Sequence, residues 1–253
     1  MIYQRPEKAE VYPQNIYINA NLMDLAFIDI ETASQYDDLE ILGMKSEELS
    51  CNLKPWLESL DKVKLNDEDI TNEMYLNKAC LSPVYGKVVC ISLGLFLNKT
   101  TFRVYSFARK GDNNSLQTEK ELLADFAYFV NNLQDKRPNL NYVGHYIKNF
   151  DIPFIQSRML VHNLYNPLQG LHVKPWESKV FDTFDMWGQG KNLGAGKLGN
   201  LCALFGIQSP KDEFDGSMVS KKFHNGGIEE IVTYCEKDVI ATKVLFFKLN
   251  QST

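Results

Sequence analysis

Asp29 and Glu31 stand two apart in a short apolar run, residues 25–31, which reads as a central strand buried on both faces. Side chains two apart on a strand leave the same face, so the two carboxylates converge. Like charges on a buried strand are costly unless a cation or a full set of partners compensates them; otherwise one or both take up a proton. A divalent metal resolves that conflict. Asp-x-Glu alone is weak, because most such pairs are surface or capping carboxylates. Asp151 supplies a third acid where a strand over residues 140–144 turns into a helix over 149–160, at the strand end where α/β ligand sites gather. Taken singly it reads as a helix-start acid with Asn149 as the cap. Tyr234 and Asp238, spaced i, i+4, share one face of a long helix beside the apolar stripe of Ile231, Cys235, Val239 and Phe246. Singly, they read as a packed phenol and a solvated acid. Together, four carboxylates suit hydrolysis of a phosphodiester by two ions about 3.5–4 Å apart, one activating water and the other stabilising the leaving oxygen.

These residues need a scaffold. Residues 86–97 and 100–107 are β-rich and separated by Asn98-Lys99, a hairpin that makes three antiparallel neighbours with the first strand. Residues 119–133 carry Leu122, Leu123, Phe126, Phe129, Val130 and Leu133 at helical spacing, with Pro138 beyond as a stop. A strand near 179–183, a helix over 197–205 and an amphipathic helix over 228–249 complete a mixed sheet with helices on both faces. Residues 34–80 read as a mostly helical insertion, with a helix-like stretch over 62–77. It holds eleven acidic residues against five lysines, a net of −6, which leaves +1 for the rest of a chain whose formal charge is −5.

At 253 residues, 44% hydrophobic and 23% charged, the composition is that of one large α/β domain spanning 1–253 with that insertion, and not of a disordered or membrane protein. The N-terminus lacks a basic region followed by an apolar stretch, so a cytoplasmic location is expected, with no membrane partner. Cys51, Cys80, Cys90, Cys202 and Cys235 form no C-x-x-C pair, and His145, His162, His172 and His224 show no ligand spacing, which disfavours a disulfide framework or a zinc enzyme. Gly194-Ala195-Gly196-Lys197-Leu198-Gly199 satisfies a dinucleotide-turn spacing but lacks a strand before it. Lys221 and Lys222 could meet backbone phosphate, although a two-lysine run is usually just solvated.

Phe27-Ile28-Asp29-Ile30-Glu31-Thr32, then Gly144-His145-Tyr146-Ile147-Lys148-Asn149-Phe150-Asp151, then Tyr234-Cys235-Glu236-Lys237-Asp238 resemble, in order, the three exonuclease motifs of the DEDD superfamily in its tyrosine-bearing branch. They are similar to predicted 3′-to-5′ exonucleases akin to the proofreading domain of family B DNA polymerases. With supporting stretches from Ala79 to Ser92 and Phe181 to Asp185, the resemblance covers about residues 22–249 apart from the insertion. It implies an α/β, ribonuclease H-like (DnaQ-like) fold and a 3′-to-5′ exonuclease using two divalent ions, Mg²⁺ or Mn²⁺. Asp29, Glu31 and Asp238 would ligate metal, Asp151 would assist at the second ion, and Tyr234 would orient the attacking water. Thr32, Asn149 and Phe150 would meet the substrate, a nucleic acid with a free 3′ end, single-stranded DNA foremost. An exoribonuclease on the same fold, or a catalytically silent nucleic-acid-binding or partner-docking module, are the alternatives.

Overall fold

The computed structural model describes residues 2–8, 21–108, 116–171, 178–188, 196–208 and 216–250. In chain order it contains β1 (Ile2–Lys8), β2 (Leu25–Ser34), α1 (Leu39–Lys45), α2 (Glu47–Asp61), α3 (Asn72–Ala79), β3 (Gly86–Asn98), β4 (Thr101–Ala108) and α4 (Leu116–Lys136). There follow β5 (Asn141–Gly144), α5 (Asp151–Val161), β6 (Val180–Asp182), α6 (Thr183–Gly188), α7 (Leu198–Phe205), α8 (Val219–His224) and α9 (Ile228–Asn250). The strands form one six-stranded sheet in the order β1-β4-β3-β2-β5-β6, antiparallel through β1, β4, β3 and β2 and parallel through β2, β5 and β6.

Alternation along β2 divides the interior. Ala26, Ile28 and Ile30 face a core with Leu122, Phe126 and Val130 of α4 and Ile152, Ile155 and Met159 of α5. Leu25 and Phe27 face the other way, against Val239, Phe246 and Phe247 of α9. Farther along that second face, Ala33 joins Val219 and Phe223 of α8 and Ile231, Val232 and Cys235 of α9. Between these two apolar clusters lies a polar band, where Asp29 of β2, Ser92 of β3 and Ser106 of β4 stand in register across three strands. Ser92 and Ser106 share a 2.8 Å hydrogen bond, and the Ser106 hydroxyl donates to the buried Glu236 of α9 at 3.0 Å. The register between β2 and β3 shifts at Glu31/Thr32, a bulge of the kind found beside functional sites.

Residues 34–80 are mostly helical as expected, with α1, α2 and α3 closing a small core of Leu42, Leu53, Leu57, Tyr75 and Tyr85. The expected helix over 62–77 is not formed. Lys62 takes a left-handed conformation that ends α2, and Thr71 caps a new start by accepting from the Met74 N–H, so beyond a single 3-10 turn at Asp67–Asp69 only Asn72–Ala79 is helical there. Two boundaries also differ from expectation. The hairpin turns at Lys99-Thr100, because the Asn98 side chain accepts from the Thr100 N–H at 2.9 Å. Helix α5 begins at Asp151 with Phe150 in the cap position and no side-chain cap bond, so Asn149 is not the cap.

Candidate functional site

Asp29 and Glu31 leave β2 on the face toward α9 and meet Cys235 there: one ligand atom from each of the three lies within 4.8 Å of the others. The Cys235 thiol donates toward both the Asp29 carbonyl oxygen and its carboxylate, at 3.4 Å. Burial pushes Asp29 well above the ordinary carboxylate range, and the Asp238 and Asp151 charges push it further. Burial does the same to Glu31, with Asp29 and Asp238 adding to it. Four acids from β2, α5 and α9 therefore feel one another at close quarters, the expense foreseen from the spacing of the first two.

Asp151 is held by an interruption in the sheet. Strand β5 pairs with β2 only as far as Phe27↔Val143 and ends at Gly144, which leaves the Ile30 N–H without a strand partner on that side. The Asp151 carboxylate takes that N–H at 3.1 Å from the first turn of α5. Burial nonetheless raises its pKa to about 7, against the pull of the backbone donors and with help from Asp182 and Asp238. Asp238 and Tyr234 lie buried on α9 one turn apart. That helix can lie close to the sheet because position 94 has no side chain: a Cβ on Gly94 would sit 2.3 Å from the Phe102 ring and 2.8 Å from Val239.

A family model described as a predicted 3′-5′ exonuclease related to the exonuclease domain of PolB matches residues 79–253. The chain belongs to that family. The matched stretch contains Asp151, Tyr234 and Asp238; Asp29 and Glu31 precede it, and in the fold of this exonuclease-family chain Asp29 feels the charges of both Asp151 and Asp238. Sheet order and helix placement are those of the ribonuclease H-like exonuclease fold. A search of curated proteins found no match.

Of the remaining residues singled out in the sequence, Asn149 is exposed and Phe150 half-buried, its ring 5.5 Å from that of Phe154. Thr32 is buried and its hydroxyl donates to the Cys80 carbonyl at 2.7 Å, which ties the end of α3 to the bulge beside Glu31. The Lys222 ammonium is bonded to Glu230. Gly194 lies outside the described residues, whereas Gly196 is a packing glycine, since a Cβ there would meet Phe184 at 2.8 Å. Cys51, Cys80, Cys90, Cys202 and Cys235 are all free thiols. No helix among the described residues is long and apolar enough to cross a membrane.

Sequence reasoning gave no part to Cys235 or Asp182. In the sequence Cys235 is one letter in an apolar stripe, and only its i, i+3 relation to Asp238 points to its direction. Asp182 is buried and its carboxylate accepts from the Tyr146 N–H at 2.8 Å, the Lys148 N–H at 3.1 Å and the Phe184 N–H at 2.9 Å. It fixes the loop that delivers Asn149, Phe150 and Asp151, while Thr183 bonds His145 at 2.9 Å beside it. Within that loop Tyr146 has φ 62°, a conformation that a non-glycine residue holds only when its surroundings impose it.

Proposed function

We propose that this protein is a 3′-to-5′ exonuclease that hydrolyses the terminal phosphodiester of nucleic acid, single-stranded DNA foremost, with two divalent ions, Mg²⁺ or Mn²⁺. What supports the reading is that Asp29 and Glu31 leave β2 on one face, their carboxylates together, and that the charges of Asp151 from α5 and Asp238 from α9 reach them, with burial first and repulsion second raising the pKa of Asp29, Glu31 and Asp151. Carboxylate oxygens suit hard cations of this kind. Bound among them, such ions would stabilise charge on the scissile phosphate and leaving oxygen and make water a better nucleophile.

The chain's own groups divide the remaining work. Asp29, Glu31 and Asp238 hold the ions, and Asp151, kept in place by the Ile30 N–H, assists at the second. The Tyr234 hydroxyl orients the attacking water. Asn149 and Phe150, on the loop leading into α5, meet the terminal nucleotide; Thr32 can only accept from it, because its hydroxyl proton is given to Cys80.

The test is incubation of purified protein with 5′-labelled single- and double-stranded DNA and RNA, in Mg²⁺, Mn²⁺ or chelator. A ladder shortening from the 3′ end of single-stranded DNA, abolished by chelator, is expected. A ladder on RNA alone would make the enzyme an exoribonuclease, and binding without any ladder would leave a silent nucleic-acid-binding module.

A further inference from the structure

Hard, oxygen-loving ions explain four carboxylates but not the sulfur among them. Cys235 reaches the site from α9, its thiol directed at the Asp29 carboxylate at 3.4 Å and in contact with the thiol of Cys90, which stands across from Glu31 on β3. One donor atom each from Asp29, Glu31 and Cys235 lies within 4.8 Å of the other two. A four-coordinate ion with sulfur at about 2.3 Å and oxygen at about 2.1 Å spaces such donors roughly 3.6 Å apart, so a small closure of side chains brings all three onto one ion. A separate observation marks the same space as a ligand's: Glu31 is only 7% exposed, its carboxylate is aimed into the cluster, and no hydrogen bond among the described residues reaches it. Thiolate selects zinc and cadmium, whereas magnesium keeps to oxygen.

We infer that Asp29, Glu31 and Cys235 form a binding site for a thiophilic divalent cation, zinc in the cell, which competes with the hard ion of the proposed hydrolysis and so inhibits it. The inference rests on the proposed metal-holding role of Asp29 and Glu31 and adds to it a sulfur ligand, whose proton is released to solvent on binding.

Cadmium is the probe, because cadmium–thiolate bonds absorb in the ultraviolet by charge transfer. Metal-stripped protein in a phosphine reductant is titrated with Cd²⁺, and separately with Mn²⁺ followed by electron paramagnetic resonance. The wild type and Cys51→Ser should each give the charge-transfer band at one equivalent, with excess Mn²⁺ suppressing it. Cys235→Ser should lose the band and bind Cd²⁺ about tenfold more weakly or worse, since even outer-shell changes cost about that much. If Cys235→Ser and Cys235→Ala both fail to fold, Glu31→Gln decides by the same loss of Cd²⁺ affinity. Mn²⁺ binding without a band, or a band that survives in Cys235→Ser, overturns the inference and leaves the proposed exonuclease standing. A band in a protein that binds no Mn²⁺ and cuts nothing keeps the sulfur site and removes the exonuclease.

Discussion

Tyr234 lies buried one helical turn before Asp238, where a phenol can hold a water against the acids of β2 without itself ligating an ion. Tyr234→Phe keeps the ring and deletes the hydroxyl, so kcat on a labelled oligonucleotide should fall by roughly 10²- to 10⁴-fold, the scale of a positioned acid–base group. Mn²⁺ affinity should be retained; an unchanged single-turnover rate would make Tyr234 a packing residue. Asp182 acts at one remove. Its carboxylate accepts three backbone N–H groups, two of them from the loop before Asp151. Asp182→Ala leaves those donors unsatisfied, at about 1–3 kcal/mol each where they stay buried. It should lower Tm and kcat together, with Asp182→Asn recovering part of both because one acceptor oxygen remains. Equal activity in wild type and Asp182→Ala would show that the loop needs no such anchor. Asp29 and Glu31 were legible because a period of two fixes the face of a strand, and Asp238 because a period near four fixes the face of a helix. Asp182 was not, because its partners are backbone groups distant in sequence, and no spacing of side chains announces them.

Strand β3 and helix α9 meet at Gly94, and the approach of the two elements sets how deep Asp238 reaches. A methyl group there runs into Phe102, which cannot yield: its ring is packed edge-on against Phe27 at 5.7 Å and Phe96 at 5.0 Å. Gly94→Ala should therefore push α9 outward, at about 1–3 kcal/mol as for other overpacked cores. The expected result is a lower Tm together with weakened Mn²⁺ binding, though no ligand has been touched. Normal affinity in a destabilised Gly94→Ala protein would mean that α9 pivots without moving Asp238. Element identity was readable wherever a long apolar period existed, as in α4 and α9. Strand β1 escaped because an edge strand tolerates Pro6 and the charged Arg5, Glu7 and Lys8, which carry no alternation. The short helices α6 and α8 escaped because six residues hold too little period to register. The false helix over 62–77 shows that apolar spacing does not prevail where a left-handed Lys62 and a capping Thr71 break the chain.

Across the molecule, ionisation couples the candidate site to stability through groups that pull in opposite directions. The pKa values of Asp29, Glu31, Asp151 and Asp182 are all raised, chiefly by burial, so the folded chain binds protons that the unfolded chain has already released. For Asp151 that window runs from the ordinary 3.8 to about 7, and within it stability falls as pH rises. His145 and His224 are depressed by burial from 6.5 to about 4; there the unfolded chain holds the extra protons, and stability rises with pH up to the ordinary histidine value. Glu119 belongs elsewhere: burial opposes its charge, but His162 and Arg158, the latter at 2.6 Å, overcome this and hold it below 4.5, so its stabilisation is lost only as pH falls through that lower value. Between about pH 4 and 6.5 the histidines and the site acids offset one another; above about 6.5 the histidine contribution has ended and the acids alone remain, Asp151 up through its value of about 7. In chelator, Tm should therefore decline across this upper window, each titrating group contributing at most about 1.4 kcal/mol per pH unit. A chain of this size moves by about 2–4 °C per kcal/mol. Saturating Mg²⁺ should flatten or reverse the slope, because a cation bound only by the folded state stabilises it most when the carboxylates are ionised. Asp151→Asn should make the chelator slope shallower. The measurement is calorimetric Tm at several pH values in chelator and in Mg²⁺; a chelator Tm that rises across that window, or a slope unaffected by Asp151→Asn, would show that burial does not hold these acids protonated in the folded chain.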